Sequence, residues 1–192
     1  MGRIVITEFV SLDGVMEGPG GGDFKHAGWA FEADRGPQGD AFKLEETIES
    51  EALLLGRVTY EGFAAHWPSA EGEFADKFNG MPKYVVSSTL ENPSWTNTTV
   101  LRGDVVDEIA ELGKTPGGDI VVHGSATLVR TLVENDLFDE LRLMVYPFVL
   151  GSGTRLFGET IDKTALRLTK AQPVGDDGVL VLVYEPVRED RG

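Results

Sequence analysis

Short apolar runs alternate along the chain with stretches of helical periodicity. Residues 4–10 are rich in β-branched and aromatic side chains and end at Ser11-Leu12-Asp13-Gly14, which predicts a strand followed by a glycine turn. Residues 52–55 and 120–122 are continuous apolar runs, typical of strands buried on both faces of a parallel sheet. Further strands are predicted at residues 84–86, 98–101, 141–149, 166–169 and 179–184.

Helices are predicted between these strands. Asp40 precedes apolar residues with partial helical spacing and fits an N-cap, and a second helix can begin at residue 58. Asp104 caps a third segment that Gly113 closes, and residues 128, 129, 132 and 133 form the apolar stripe of a fourth. The glycine-rich residues 14–39 predict a long irregular segment, which in a compact domain is usually functional or disordered.

The order of these elements predicts the fold class. Alternating strands and helices, followed by two strands around Asp176-Asp177-Gly178, predict an α/β fold with a mixed sheet, helices on both faces and a C-terminal hairpin. The sequence shows no internal repeat, linker or shift in composition, so residues 1–192 are expected to form one domain.

Charge and composition narrow the classes of partner. The formal net charge is −15, which opposes nonspecific binding to nucleic acid, and any anionic ligand would need a local positive pocket. Cysteine is absent, so disulfides, thiolate metal sites and a cysteine nucleophile are excluded. No apolar run is long enough to span a bilayer and no signal peptide is evident, so a cytoplasmic protein without membrane association is expected.

The segment around Gly56 is the first candidate for chemistry. A buried strand passes through Gly56 into a helix start that carries Arg57 and Thr59. Free N–H groups at a helix start, a guanidinium and a hydroxyl suit a phosphate group. An ordinary glycine turn with a surface arginine explains the same spacing.

A second strand-to-helix turn follows residues 120–122. It comprises Gly124, Ser125, Ala126, Thr127 and Leu128, of which Ser125 or Thr127 can cap the helix or bond a phosphate oxygen. Two such turns suggest a dinucleotide, although the G-x-G-x-x-G fingerprint is absent. His123 alone is more often a packed histidine than a catalyst, and the three histidines show no metal-ligand spacing.

Two further strand ends carry polar side chains. Ser87 and Ser88 can offer hydroxyls to a ribose or phosphate, or form an ordinary polar strand end. Asp13 can bond a substrate or brace its turn, and the sequence favours neither.

Several motifs together resemble a known family. L-L-L-G-R-V-T-Y-E (53–61) resembles the G-R-x-T-[WY]-E stretch of dihydrofolate reductases. S-L-D-G (11–14), G-S-A-T-L (124–128), D-E-L-R-L (139–143) and P-F-V-L-G-S-G-T-R-L-F (147–157) resemble the reductase domain of the bifunctional riboflavin-biosynthesis deaminase-reductase. The chain is identified, over roughly residues 3–186, as similar to stand-alone RibD C-terminal domain proteins of the dihydrofolate reductase-like superfamily.

The resemblance implies a three-layer fold around a twisted mixed sheet and an NADPH-dependent reductase, with hydride transfer to a small heterocycle. Arg57 and Thr59, with Ser87, Ser88 and Arg102 nearby, would meet the 2′-phosphate and pyrophosphate, and residues 124–128 would hold the pyrophosphate. The alternatives are dihydrofolate reduction and nucleotide binding without turnover. A homodimer is expected by the same analogy.

The resemblance also adds one carboxylate and shows two departures. Asp40 precedes Gly56 by the spacing of the carboxylate that pairs with the pteridine ring in dihydrofolate reductases, although its N-cap role is favoured. Thr7 stands where the riboflavin reductases carry lysine, and His123-Gly124-Ser125 replaces their E-G-G. These departures leave cofactor binding intact and weaken the case for the ribosylaminouracil substrate of that pathway.

Overall fold

In the described part of the chain, eight strands form one mixed sheet at the centre of the protein. The computed structural model describes residues 2–115, 117–158 and 162–188. The strands are β1 (Arg3–Ser11), β2 (Ser50–Gly56), β3 (Lys83–Val86), β4 (Thr98–Leu101), β5 (Asp119–His123), β6 (Glu140–Tyr146), β7 (Leu166–Val174) and β8 (Val179–Pro186). Their order is β4-β3-β2-β5-β1-β6-β8-β7, with β1 to β6 mutually parallel and the hairpin strands β7 and β8 antiparallel.

Among the residues that the structure describes, five α-helices cover the two faces of this sheet. They are α1 (Gly36–Glu49), α2 (Arg57–His66), α3 (Glu73–Gly80), α4 (Val105–Lys114) and α5 (Ala126–Glu134), with short 3-10 turns at Trp29–Phe31 and Trp67–Ser69. In the described parts of the chain, no helix has the length and apolar character needed to cross a membrane.

The core is divided by the sheet. On one face, α4 and α5 pack on alternate residues of β1, β2 and β5, including Ile6, Leu54 and Val122. On the other face, Trp29 and Tyr146 anchor one cluster near α1, and Tyr60 and Phe78 anchor a second cluster under α2 and α3. The predicted layers and C-terminal hairpin are therefore confirmed.

The differences from the predicted elements are local. The predicted N-cap at Asp40 is wrong, because α1 begins at Gly36 and Asp40 lies inside it; Pro37 suits the first helical turn, where its missing N–H costs nothing. Helix α3 was not predicted from its eight residues. Gly113 lies within α4 rather than after it, and β6 ends at Tyr146, just before Pro147.

The parallel strands differ in how far they extend. β1 pairs with β5 only as far as Thr7 with His123, but it pairs with β6 as far as Ser11 with Tyr146. The last residues of β1 therefore keep one neighbour and lose the other, because β5 has already turned into α5. This leaves an open edge of β1 at the carboxyl end of the sheet, formed by residues 8–10; the Ser11 N–H beyond it donates to the Val15 carbonyl.

Candidate functional site

The carboxyl ends of the parallel strands bring most of the predicted site residues to one edge of the sheet. In a parallel sheet, ligands bind outside this edge, where the order of the strands reverses. Along the strand order from β4 to β1, the residues at or just after the strand ends are Arg102, Ser87 and Ser88, Gly56 and Arg57, Gly124 and Ser125, and Asp13. Asp40 lies apart from this series, on α1.

The turns after β2 and β5 touch each other. A Cβ added to Gly56 would lie 2.4 Å from Ser125 Oγ, and a Cβ added to Gly124 would lie 2.6 Å from Thr59 Oγ1. Glycine is required at both positions for the two turns to pack. Ser125 has φ 65°, and its hydroxyl accepts the Leu128 N–H at 3.3 Å.

The start of α2 offers donors to an anion. Gly56 precedes it, and no described side chain caps its first N–H groups. The Arg57 guanidinium is 43% exposed and donates two 2.9 Å hydrogen bonds to Glu61. An exposed pair of this kind contributes at most about 1 kcal/mol, so a phosphate can displace Glu61.

Around α5, the predicted residues divide into accessible and buried groups. Thr127 is exposed at the helix start, whereas Ala126 and Leu128 are buried, with their side chains in the core. Any contact from Ala126 or Leu128 to a ligand would therefore come from the main chain.

The β3–β4 side of the edge is polar and partly engaged. Ser87 Oγ accepts the N–H groups of Thr89 at 3.2 Å and Leu90 at 2.9 Å, which leaves its own O–H free to donate. Ser88 is exposed. Arg102 donates to the Leu90 carbonyl, so the guanidinium is held beside the same turn.

Asp13 braces the turn after β1. Its carboxylate accepts hydrogen bonds from Ser11 Oγ at 2.6 Å, Leu150 N at 3.1 Å and Gly151 N at 2.9 Å. The Ser11 hydroxyl, followed by the two backbone donors, lowers the pKa of Asp13 to about 2. These contacts account for the carboxylate in full as a brace, and its catalytic role stays a prediction.

Asp40 reaches the site only through Arg35. Its carboxylate is 68% exposed and accepts from Arg35 Nε at 2.7 Å, while the Arg35 guanidinium lies 5.4 Å from the centre of the Phe9 ring on β1. Its role as a substrate-orienting carboxylate also stays a prediction.

A buried charged cluster beneath α1 escaped the sequence analysis. Lys43 donates to Glu46 and, at 2.9 Å, to Thr7 Oγ1, while Thr7 donates to Glu46 at 3.0 Å. Arg142 of β6 approaches the other Glu46 oxygen at 3.4 Å. Lysine and glutamate on a helix ordinarily indicate a solvated face, and the sequence carries no signal that this face is covered.

His123 lies beside this cluster. Its ring centre is 5.4 Å from Phe78 and 6.2 Å from Phe63, and no described group hydrogen-bonds its Nε2. Burial, followed by repulsion from Lys43, lowers the pKa of His123 to about 3, so the ring is neutral. The expectation of a packed histidine agrees with this environment.

Glu8 is a second residue that the sequence analysis missed. It lies on the open edge of β1, is 6% exposed, and its Oε1 has no hydrogen-bond partner among the described residues. Burial raises the pKa of Glu8 to about 8, against the opposing effects of Lys43 and the Gly124 backbone. The carboxyl group is therefore mostly protonated at neutral pH.

Comparison with protein families gives a match over nearly the whole chain: residues 3–180 match the RibD C-terminal domain. Two Bacillus subtilis (strain 168) relatives are similar over their full extent. The uncharacterized protein YyaP is 28% identical over 95% of this chain and 94% of its own, and the uncharacterized protein YwjB is 30% identical over 90% and 92%.

Solved structures share the fold. A crystal structure from Shewanella sp. PV-4, of a protein assigned to riboflavin biosynthesis, superposes with a TM-score of 0.77 at 20% identity and covers 97% of this chain and 99% of that one. Dihydrofolate reductase from Enterococcus faecalis, in complex with NADP(H) and RAB-propyl, superposes with a TM-score of 0.61 at 18% identity, covering 97% and 98%. The expected dihydrofolate reductase-like fold is confirmed.

Proposed function

This chain belongs to the RibD C-terminal domain family, and from that premise we propose that it is an NADPH-dependent reductase of a small heterocyclic substrate. The observation that carries the proposal is the pair of touching strand-to-helix turns, at Gly56 and Gly124, on the carboxyl edge of a dihydrofolate reductase-like sheet. A fold alone does not establish an activity, so the proposed activity rests on the chemistry of this site.

The residues present fit a dinucleotide phosphate. The uncapped N–H groups of α2 and the Arg57 guanidinium supply positive potential in a chain of net charge −15. The Ser87 hydroxyl and Arg102 extend the polar surface toward β4, where a 2′-phosphate would lie. Thr59, Ser88 and residues 124–128 complete the proposed contacts.

When bound, NADPH would supply a hydride, and the protein would bind, orient and exclude water. The substrate side would be formed where α1 covers the carboxyl ends of β1, β5 and β6. Lys43, Glu46 and His123 give that region fixed donors and acceptors, suited to the polar edge of a pteridine or pyrimidine. Asp40, through Arg35, is a candidate to orient the ring.

The wider proposal includes a cytoplasmic homodimer, which light scattering of the purified protein and cell fractionation would test.

Following NADPH oxidation with dihydrofolate, with 5-amino-6-(5-phosphoribosylamino)uracil and with other pterins and pyrimidines would separate the reductase activities. Binding of NADPH without turnover across that panel would favour a nucleotide-binding module instead.

Substitution of Arg57 tests the phosphate site directly. Arg57→Ala should weaken NADPH binding roughly 10- to 100-fold, as expected for loss of a charge-assisted hydrogen bond, and change NADH binding little. Calorimetry with both cofactors measures this. Arg167→Ala is a matched control, because Arg167 is also an exposed arginine paired with a glutamate, Glu185.

Equal losses for NADPH and NADH would remove Arg57 from the 2′-phosphate site. Absence of binding by either cofactor to the unmodified protein at millimolar concentration would overturn the proposed function.

A further inference from the structure

Glu8 is the buried ionisable group that the proposed cofactor contacts leave without a role. It lies on β1 one residue beyond the last pair with β5, at the point where the open edge begins. Alternation along the strand places its side chain on the same face as Ile6 and Val10, which are both core residues. An ionised carboxyl group buried in such surroundings, with no hydrogen bond to Oε1, lowers the free energy of unfolding. The group is therefore expected to be neutral or to bind a ligand.

The order of the strands gives the site a direction. Positive groups follow β4 and β2, at Arg102 and Arg57, whereas Glu8 lies on β1. From β4 to β1 there are four strand spacings, roughly 19 Å at about 4.8 Å each, which suits an extended dinucleotide. With the 2′-phosphate beside the arginines, the chain of the ligand crosses the turns at Gly56 and Gly124 and ends at Glu8.

The opposite orientation is disfavoured by charge. It would place the 2′-phosphate beside a carboxyl group and the nicotinamide beside the arginines. In the favoured orientation, the nicotinamide ring meets Glu8, and that ring is positively charged when oxidised and neutral when reduced.

We infer that the Glu8 carboxyl faces the nicotinamide end of the bound dinucleotide and distinguishes its two redox states, because it ionises beside the charged ring and stays protonated beside the neutral one. This inference rests on the proposed function and assigns the open edge of β1 to one part of the cofactor. Glu8 thereby favours release of a proton when NADP⁺ is bound and uptake of a proton when NADPH replaces it.

The surrounding charges allow this change. Lys43 and Glu46, both from α1, are the charged groups that act on Glu8, and they are paired with each other. Their effects on the Glu8 pKa oppose one another, and the neutral His123 adds no charge. A pKa of about 8 lies close enough to neutrality for one added positive charge to ionise the group.

Calorimetry at pH 7, in buffers of different ionisation enthalpy, tests the inference by counting protons. Binding of NADP⁺ should release more protons than binding of NADPH. The 2′-phosphate also titrates, near pH 6, but both forms carry it, so its contribution cancels in the difference. In Glu8→Gln, which keeps the shape of the side chain, the two proton counts should be equal. Glu45→Gln, an exposed glutamate of α1, is the matched control and should keep the difference.

The affinities give a second measurement. Between pH 6 and pH 8, the ratio of the NADP⁺ to the NADPH dissociation constant should fall, by about fivefold if the oxidised ring lowers the Glu8 pKa by one unit and by more if the shift is larger. The ratio should be flat in Glu8→Gln.

If the unmodified protein releases equal numbers of protons on binding NADP⁺ and NADPH, the inference is wrong. This measurement does not need the Glu8→Gln variant, so it holds even if that variant fails to fold. A difference that persists in Glu8→Gln would overturn it equally. If neither form binds, the proposed function is wrong and the inference fails with it; if both bind with equal counts, only the inference is wrong.

Discussion

Asp13 joins the turn after β1 to the segment after β6 through one hydroxyl and two backbone N–H groups. The sequence placed a carboxylate at a strand end but left bracing and substrate binding equally open. The structure supplies the donors, because Leu150 and Gly151 are distant in sequence and meet Asp13 only when β1 and β6 pair.

Asp13→Ala should lower the free energy of unfolding by roughly 2–3 kcal/mol, since it leaves the Leu150 and Gly151 N–H groups without their acceptor. Urea denaturation measures this change. The NADPH dissociation constant should stay within about twofold. Asp76→Ala, at an exposed position of α3, is the control and should change neither quantity. A stable Asp13→Ala protein with a large loss of binding would instead favour a ligand contact.

At the scale of elements, α2 and α5 are positioned by their touching N-terminal turns. The sequence predicts both turns, and a glycine in each of them permits another group to come close. It does not predict that what approaches is the other turn, since β2 and β5 are far apart in the chain and become neighbours only through the strand order.

The contact between these turns can be measured with a double-mutant cycle. Gly56→Ala should cost about 1–3 kcal/mol of stability, because the new methyl group would lie 2.4 Å from Ser125 Oγ. Ser125→Gly removes that side chain and the positive φ strain, although it also removes the helix cap. The double variant should therefore recover part of the Gly56→Ala loss. Strictly additive losses in denaturation experiments would show that the two turns are not coupled.

Helix α1 shows how the same residues can change meaning with context. Asp40 was favoured as an N-cap, but Pro37 moves the helix start upstream and leaves Asp40 on an exposed turn. Lys43 and Glu46 look like solvent-facing residues in sequence, yet the helix turns them onto Thr7 of β1 and Arg142 of β6. Helical periodicity alone does not reveal which face a neighbouring sheet will cover.

For the whole molecule, groups whose pKa values are shifted well above or well below their ordinary values make stability depend on pH. The pKa of Glu8 is raised from 4.5 to about 8. Its contribution to the free energy of unfolding is therefore fully present below pH 4.5 and is lost as the pH rises through 8. The pKa of His123 is lowered from 6.5 to about 3, so its contribution is present above pH 6.5 and is lost as the pH falls toward 3. Asp13 adds to the acid loss between pH 3.8 and about 2.

The free energy of unfolding of the cofactor-free protein should therefore be greatest between about pH 4.5 and 6.5. Urea titrations from pH 3 to 9, followed by tryptophan fluorescence, measure it. Between pH 6.5 and pH 9, the loss due to Glu8 alone is on the order of 2 kcal/mol.

Glu8→Gln should flatten that alkaline side, while Glu45→Gln should follow the unmodified protein. Growing repulsion within the acidic chain acts on all three proteins alike, so the comparison isolates Glu8. An unchanged alkaline slope in Glu8→Gln would contradict the assignment of Glu8 as a buried acid.

Local pattern in the sequence determined the strands, most helices, the C-terminal hairpin and the two glycine turns, because apolar periodicity and glycine act over a few residues. It also carried the motifs that resemble the family. Tertiary structure alone decided which strand ends became neighbours, that Asp13 is braced across the sheet, and that Lys43, Glu46 and Glu8 are buried. Burial and pairing depend on contacts between residues far apart in the chain, and these contacts move the pKa values of Glu8, Glu46 and His123 away from their ordinary values.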